Sequence, residues 1–459
     1  MNSYSIKAYK YPLKIAMIYL ISSVVMYFTG EYVWEIPSPI KLLLFLAVSF
    51  MGFWIGGLLG LNNRHVKKKI IIKKFPISVI TLFRFSCFFS IAAYIVMVNY
   101  YGHGFRFVDL LSSAGDIYIE KASRTEYERN YLVQIFSWFW AFTYIYIPIG
   151  LVYLRKLTRF DKFLLWTTIA TCVLYWLGIG TMKGIGDILI QVIPCYALNK
   201  FQRSSKNVID RDSLSPEMTI NRNLYQKKYR KEKTRRKQYT ILLILALVAF
   251  LFVFDRIQES RELEIYGTIQ PSTYLPSTLS PFVKEIREIP LPNVINSLMF
   301  YVSHGYTGLA YSMELPFKWT GMIGFSRSLT EILEQRLPIE VSTITYMQRS
   351  EDYFGWDNGM IWSTIFPWFA GDVTFYGVPF VMMFIGYIFS NTWKKCLRNA
   401  NNRNVLDIVL FTQWCLMVVY IPSNNQIFQS KQSLFAIILL IVMRIFLKVK
   451  TDTLDKEFN

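Results

Sequence analysis

The chain has 459 residues, of which 53% are hydrophobic and 17% aromatic, and its formal net charge is +19. With a mean hydropathy of +0.29, it has too little polar surface to cover a soluble core of this size. The composition therefore excludes an ordinary soluble enzyme and predicts an integral membrane protein. Its apolar residues come in blocks long enough to cross about 30 Å of hydrocarbon.

The apolar blocks have the length that a membrane-spanning helix requires, about 20 residues. They predict an all-α polytopic membrane protein with about ten transmembrane helices and a large, partly helical outer loop. The predicted spans are residues 12–29, 40–62, 77–99, 131–154, 163–180, 184–199, 239–255, 376–392, 405–421 and 433–448.

These spans divide the chain into five parts. They are an N-terminal transmembrane bundle at 1–199, a basic cytoplasmic loop at 200–238, a transmembrane helix at 239–255, a large extracytoplasmic catalytic loop at 256–375, and C-terminal transmembrane helices with a cytoplasmic tail at 376–459. Lys and Arg cluster in the loops after the second, fourth and eighth spans, which lie on one side if the spans alternate. The positive-inside rule makes that side the cytoplasm and places both termini there.

The segment 200–238 is the most basic stretch of the chain, with 13 Lys and Arg residues against four carboxylates. We interpret it as a loop that sets topology and faces anionic lipids. A docking site for a cytoplasmic partner is the alternative. A nucleic-acid partner is not expected, because the charge is spread over inner loops without a recognition fold.

Motifs for metal, redox or nucleotide chemistry are absent from the sequence. The five cysteines have neither metal-ligand nor redox spacing, and no P-loop or dinucleotide fingerprint occurs. We therefore expect no cofactor, no metal site and no structural disulfide.

The large loop at 256–375 is longer than a simple connection and too aromatic for a disordered linker. Its eight cations are outnumbered by 13 carboxylates, so a phosphate site would depend on a few locally placed arginines. Apolar stretches at 294–299 and 308–315 are too short to span and predict interfacial or partly buried helices.

An arginine with a glycine eleven positions later stands at the start of this loop. Arg256 is followed by ten residues and then by Gly267. This spacing, on a plan of many spans, basic inner loops and one large outer loop, resembles the Wzy-type oligosaccharide repeat-unit polymerases, which build O-antigen and capsular polysaccharides. The alternative for Arg256 is a helix-end arginine that extends toward lipid headgroups.

The run 362–377 carries a second local likeness to this family. Thr364 precedes Gly371 and Asp372, and an aromatic–glycine pair follows, which is similar to the pattern before a late helix in these polymerases. Where the family has an acid just before that pair, this chain has Phe375. The alternative interpretation is an aromatic belt at a helix start.

The resemblance implies a GT-C-like membrane glycosyltransferase on the outer face of the bacterial cytoplasmic membrane. It implies a reaction between two undecaprenyl-diphosphate-linked glycans, in which the growing chain is transferred to a hydroxyl of the incoming unit. Neither a nucleotide sugar nor ATP is required. Membrane lipids and a polysaccharide chain-length regulator are the other implied partners.

Such a reaction needs a base near the acceptor hydroxyl and positive charge near the departing diphosphate. The candidates for the catalytic groups are His304, Asp357 and Asp372. A guanidinium fork pairs two phosphate oxygens at once. The candidates for contacts to the diphosphate or glycan are Arg256, Arg261, Arg327, Arg336, Arg349 and Lys183, with Trp356 and Trp362 available to stack on sugars.

Several of these residues also have purely structural interpretations. A single loop histidine is often structural, and Lys183 with Asp187 has the spacing of an i,i+4 ion pair. Arg84 and Arg444 lie near the inner ends of their spans, where we expect them to extend toward headgroups.

Two other functions are alternatives to the polymerase: a lipid-linked oligosaccharide flippase and an O-antigen-ligase-like transferase. The long outer loop, and the small number of ionisable residues inside the predicted spans, favour an enzyme over a flippase.

Overall fold

The computed structural model describes residues 3–29, 32–33, 35–62, 75–101, 130–212, 241, 245, 248–257, 260, 278–279, 293–356, 361–397 and 404–450. Within these residues, four helices are long and apolar enough to cross a membrane: Ala8–Thr29, Pro39–Asn62, Val79–Tyr101 and Ile365–Cys396. A fifth span results if the bent pair Tyr131–Trp138 and Trp140–Val152, with a 52° bend, crosses as one unit. The prediction of a mostly helical chain with several helices able to span a membrane is confirmed.

The N-terminal half alternates long helices with short strands. Its elements are α1 (Ser3–Thr29), β1 (Tyr32–Val33), α2 (Pro39–Asn62), β2 (Phe75–Ser78), α3 (Val79–Tyr101), α4 (Tyr131–Trp138), α5 (Tyr146–Val152), α6 (Arg159–Gly178) and α7 (Lys183–Asp212). Gly180, whose φ is 65°, allows the tight turn after α6, so that α7 begins at Lys183.

The C-terminal half contains the large loop and the last helices. Helix α8 is described at 248–257. Then follow β3 (Thr278–Leu279), α9 (Asn293–Ser303), α10 (Gly305–Ser312), α11 (Arg327–Glu334), α12 (Tyr346–Phe354), α13 (Ile365–Cys396), α14 (Leu406–Tyr420), α15 (Gln426–Gln429), α16 (Lys431–Phe446) and β4 (Leu447–Lys450).

Two short strand pairings join distant parts of the chain. β1 pairs antiparallel with β3, with Tyr32 opposite Leu279, and β2 pairs parallel with β4, with Phe75 opposite Leu447. Both pairings join segments that the predicted topology assigns to a common side. The second pairing brings the start of α3 and the end of α16 to the same end of the bundle.

Helices α2 and α13 pack closely because glycines line their contact. A Cβ added at Gly56 would lie 1.8 Å from the Met383 carbonyl oxygen, and one at Gly60 would lie 2.4 Å from that of Tyr387. Small residues at such positions allow helix backbones to approach one another, which is typical of membrane helix packing. Among the described residues, this pair makes the most extensive contact between two helices.

Two helix boundaries and the shape of one span differ from the prediction. The last eleven residues of the predicted loop, 365–375, begin α13, which breaks at Thr374 (φ 63°, ψ 164°) before the predicted span. Helix α7 continues to Asp212, beyond the predicted end at 199. The predicted span 131–154 is bent. Hydropathy marks where an apolar environment ends, whereas backbone hydrogen bonds can continue a helix past that point.

Arg84 and Arg444, which we expect to extend toward headgroups, each pair with a buried carboxylate. Arg84 donates from Nε to Oδ1 of Asp161 at 2.6 Å and from Nη2 to Oδ2 at 3.2 Å. Arg444 makes the same two-point contact with Asp407, at 2.5 and 3.0 Å. Both carboxylates are buried, so each would be costly without its arginine.

Candidate functional site

Helix α10 of the large loop contacts α1 through two hydrogen bonds. The Tyr306 hydroxyl lies 2.8 Å from Oγ of Ser23, and Thr307 Oγ1 lies 2.9 Å from the hydroxyl of Tyr27. Ser23 and Tyr27 both belong to α1. Tyr306 is fully buried. Helix α9 covers the predicted stretch 294–299, and α10 covers residues 308–312 of the second stretch, where Leu309 and Ala310 are buried.

His304 occupies the junction between α9 and α10 and is only 2% exposed. Its Nδ1 lies 2.7 Å from the Phe300 carbonyl oxygen, and its ring stacks on that of Phe300 at 4.7 Å. Because a carbonyl only accepts, Nδ1 carries the proton and Nε2 keeps its lone pair. Burial lowers the pKa of His304 to about 4. The ring is therefore neutral at pH 7, the form that a general base requires.

The ring of Tyr301 lies among three segments that carry predicted site residues. Its centroid is 5.7 Å from Phe254, 6.2 Å from Trp362 and 6.3 Å from His304. Tyr301 also packs against an apolar cluster formed by Met182, Phe254 and Ile257. This group of side chains, the Tyr301 cluster, therefore brings together the segments that carry Lys183, Arg256, His304 and Trp362.

The predicted arginines that the structure describes are in different surroundings. Arg256 lies over the Phe252 ring at 5.8 Å. Arg327 pairs with Glu331 at 2.8 Å, and Arg336 is exposed just after α11. In the part of the chain that the structure describes, Arg327 on α11 and Arg336 just after it make no hydrogen bond or ion pair with the Tyr301 cluster. Arg261 and Asp357 lie outside the described residues.

Arg349 is buried and bonds to the backbone. Its Nε donates to the Ile344 carbonyl at 3.0 Å and its Nη1 to the Pro316 carbonyl at 2.7 Å, while the guanidinium lies over Tyr346 at 4.8 Å. These contacts hold the segment before α11 against α12. They give Arg349 a structural role, and its predicted contact with the diphosphate stays a prediction.

Asp372 is held by one turn of the large loop. Its Oδ1 accepts from Thr320 Oγ1 at 2.5 Å and from the Gly324 amide at 3.1 Å, and its Oδ2 accepts from the Phe325 amide at 2.9 Å. Three donors therefore occupy a carboxylate that has about four acceptor positions. This arrangement gives Asp372 a role in fixing the turn, and its predicted catalytic role is untested.

The two predicted tryptophans differ in accessibility. Trp356 is buried, with its ring 5.8 Å from that of Tyr311, and it fills the space beside Gly308. Trp362 is half-buried, and its ring lies 6.4 Å from that of His304. Of the two, Trp362 has the better position to stack on a sugar beside the histidine.

A polar pocket lies between α7, α14 and α16, and its centre is the ion pair of Lys183 with Asp187. Lys183 Nζ is 3.6 Å from Oδ2 of Asp187, and the Tyr420 hydroxyl donates to Oδ1 at 2.8 Å. The buried Nε2 of Gln413 has no hydrogen-bond partner in the part of the chain that the structure describes. The pocket is lined by Tyr144, Lys183, Asp187, Gln413, Leu416, Tyr420, Gln426, Ile427, Ser433 and Ile437.

Sequence reasoning missed Tyr420 and Gln413 as members of this pocket. Gln413 carried a usable signal, because an amide inside the apolar span 405–421 is expensive unless it has a partner or a function. Tyr420 carried none, since tyrosines at the ends of spans are common. The Lys183–Asp187 pair itself follows from the i,i+4 spacing and is present.

Comparison with known proteins gives no relative for this chain: no family model, no curated protein and no solved structure matches it. Within the described residues, no group of three or more His, Cys, Asp or Glu side chains is arranged to hold a metal ion. The Tyr301 cluster and the Lys183 pocket are therefore the features that bear on function.

Proposed function

We propose that the chain is a membrane glycosyltransferase that polymerises undecaprenyl-diphosphate-linked oligosaccharide repeat units. In this proposal, about ten helices span the bacterial cytoplasmic membrane in a GT-C-like arrangement, and both termini are cytoplasmic. The large loop and the site face outward. The observation that carries the proposal is the Tyr301 cluster, because it gathers four predicted site segments that are far apart in sequence.

His304 suits the role of base in this reaction. The acceptor hydroxyl would attack the anomeric carbon of the growing chain, forming a new C–O bond as the bond to the diphosphate breaks. His304 Nε2 would take the hydroxyl proton, and undecaprenyl diphosphate would leave with the electron pair. The Nδ1 contact with Phe300 orients the ring for this transfer.

Arg256 suits the role of cation for the leaving group. It lies two residues beyond Phe254, whose ring is 5.7 Å from that of Tyr301. Negative charge grows on the diphosphate in the transition state, so a guanidinium near it stabilises that state more than the ground state. Trp362 would stack on a sugar of the bound glycan.

The Lys183 pocket supports a polar ligand near this site. Lys183 directly follows Met182, which belongs to the Tyr301 cluster. Its positive charge is offset by Asp187 at 3.6 Å, and the cavity volume of about 20 Å³ has room for a single hydroxyl group of a glycan rather than for a phosphate. The unpaired Gln413 amide supplies a further donor.

The test is polymerisation by the purified full-length protein supplied with lipid-linked repeat units. We expect a ladder of products longer than two units, formed without a nucleotide sugar or ATP. Transfer to a different acceptor without a ladder would indicate a ligase. Movement of the lipid-linked unit across the membrane without any longer product would indicate a flippase. Either result would overturn the proposal.

The matched variants are Arg256→Lys and Arg261→Lys. Lysine keeps the charge but loses the two-point fork, so Arg256→Lys should lower the rate by roughly a hundredfold, about 3 kcal/mol. Arg261 is followed by Glu262 and has Glu264 nearby in sequence, so we expect it to tolerate lysine. Equal tolerance at both positions would remove the support for Arg256, and the next candidates would be Arg327 and Arg336.

A further inference from the structure

Three large apolar side chains are exposed together on one turn of the large loop. Phe317 and Met322 are exposed, and Trp319 is 62% exposed. Lys318 lies among them, also exposed, and forms no ion pair with any residue that the structure describes. Apolar side chains grouped in this way mark a contact surface rather than a surface that faces water.

The turn is held in a fixed shape. The buried Thr320 donates its amide to the Gly371 carbonyl at 3.0 Å and its hydroxyl to Asp372 at 2.5 Å. Gly321 and Met322 both have a positive φ, 71° and 62°. This conformation is unfavourable for methionine and persists only where the surroundings impose it. The exposed side chains are therefore presented by a rigid turn.

The length of α13 places the membrane boundary close to this turn. The helix has 32 residues and would be about 48 Å long if it were straight, well beyond about 30 Å of hydrocarbon. After the break at Thr374, 22 residues remain, with a length of about 33 Å. The boundary is therefore expected near the break, two residues beyond the Asp372 that holds Thr320.

Exposure along α13 agrees with this boundary. Tyr376 is 91% exposed, and Phe380 and Phe384 follow on the same face at four-residue spacing, both strongly exposed. Such an apolar stripe on a membrane-spanning helix faces lipid. The turn is thus attached one helical turn before the start of a lipid-facing stripe.

Helix α2 separately indicates that the membrane boundary lies close to the turn. Lys41, in its first turn, donates to the Met313 carbonyl at 2.7 Å and pairs with Glu314 at 3.0 Å. Helix α2 is apolar enough to span, and Ile40 and Leu44 at its start are exposed. The segment just before the turn therefore lies at the end of another spanning helix.

From these contacts we propose that the turn 316–323 inserts into the lipid interface beside α13. Trp319, with Phe317 and Met322, contacts the boundary between headgroups and acyl chains, and Lys318 binds a lipid phosphate. Tryptophan favours this boundary because its ring is apolar and its N–H is polar. The partner is the bilayer leaflet at the large-loop end of the bundle. This inference requires only that α2 and α13 span the membrane.

The experiment measures the depth of single spin labels in the full-length protein, reconstituted in nanodiscs of phosphatidylethanolamine and phosphatidylglycerol. Labels are attached at Trp319→Cys and Phe317→Cys after the five native cysteines are replaced by serine. Tyr376→Cys is the lipid-facing reference, and Glu340→Cys, at an exposed acid, is the water-facing reference. Accessibility to oxygen reports lipid exposure, and accessibility to a water-soluble nickel chelate reports water exposure.

We expect the labels at 317 and 319 to resemble the one at 376, with at least severalfold less access to nickel than the label at 340. Nickel access at 319 equal to that at 340 would overturn the proposal. Low access to both oxygen and nickel would also overturn it, because a protein partner or a second copy would then cover the turn.

Lys318→Glu tests the lipid phosphate contact separately. In nanodiscs that contain phosphatidylglycerol, the reversed charge should move the label at 319 toward water and raise its nickel access. Lys431→Glu is the control, since Lys431 lies at the start of α16 and is no part of the turn. An unchanged depth with Lys318→Glu would remove the lysine from the proposed contact.

Discussion

The hydroxyl of Thr320 donates to Oδ1 of Asp372 at 2.5 Å, which joins the large loop to α13, the helix that packs against α2. The Gly324 and Phe325 amides complete the contacts of the carboxylate. Hydrogen bonds to a charged acceptor are about twice as strong as neutral ones, roughly 1.5–3 kcal/mol each. Asp372 therefore has a structural reason to be present, apart from any catalytic one.

Asp372→Ala should destabilise the protein by about 3 kcal/mol, because two backbone amides and a hydroxyl lose their acceptor. Thr320→Val removes only one of these bonds and should cost about 1 kcal/mol. Thermal unfolding in detergent measures both. Asp352→Ala, at an exposed acid on α12, is the control and should change little. Full stability of Asp372→Ala combined with lost activity would instead assign the carboxylate to catalysis.

The pH dependence of activity should report the burial of His304. A base must be neutral, and the pKa of about 4 means that His304 takes up a proton only near that pH. Activity should therefore persist from pH 7 down to about 5 and decline near 4, whereas an ordinary histidine would lose its basic form below about 6.5. His304→Gln should remove most of the activity. His65→Gln, at a histidine that the predicted topology places in an inner loop, serves as its control. A loss of activity with a midpoint near pH 6.5 would instead indicate that another group is the base.

Stability should respond to the same histidine in a defined pH window. In the unfolded chain His304 binds a proton below about 6.5, but in the folded chain only below about 4. Unfolding therefore takes up a proton between these values, so the free energy of unfolding should fall as the pH decreases from 6.5 to 4. In His304→Gln, about one proton fewer should be taken up on unfolding in this pH range. The slope of the free energy of unfolding against pH, measured at several pH values, gives this number.

Local patterns predicted local features well. Hydropathy located the helices, the i,i+4 spacing predicted the Lys183–Asp187 pair, and two short apolar stretches predicted α9 and α10. Contacts between distant residues could not be predicted in this way. The partner of Arg84 lies 77 positions later, and that of Asp372 lies 52 positions earlier. Their pairing depends on how the helices pack, which no spacing rule describes.

Gln413→Leu tests whether the Lys183 pocket serves a ligand. The amide is buried and its Nε2 has no hydrogen-bond partner among the described residues, so an apolar side chain of similar size should raise the stability by about 1 kcal/mol. If the amide binds a glycan hydroxyl, activity should fall although stability rises. Thermal unfolding and polymer yield at equal membrane levels measure the two effects. Higher stability with unchanged activity would remove Gln413 from the site.

Gly56→Ala should weaken the contact between α2 and α13. The added Cβ would lie 1.8 Å from the Met383 carbonyl oxygen, so the two backbones must separate. Such overpacking costs about 1–3 kcal/mol. Gly186→Ala is the matched control, because the nearest atom to its Cβ would be 3.7 Å away, an ordinary contact. Comparable thermal unfolding of the two variants would contradict the close approach of the helices.

Replacing Arg84 should show that the buried Asp161 carboxylate destabilises the protein when it has no cation beside it. The Asp161 side chain is fully buried, so Arg84→Ala should cost about 3 kcal/mol by leaving an uncompensated charge. The double variant Arg84→Ala with Asp161→Ala should be more stable than Arg84→Ala alone, since that charge is then gone. Arg327→Ala breaks the exposed pair with Glu331 and should cost at most about 0.5 kcal/mol. Unfolding of the four proteins in one detergent compares these values, and equal costs at Arg84 and Arg327 would show that burial does not strengthen the pair.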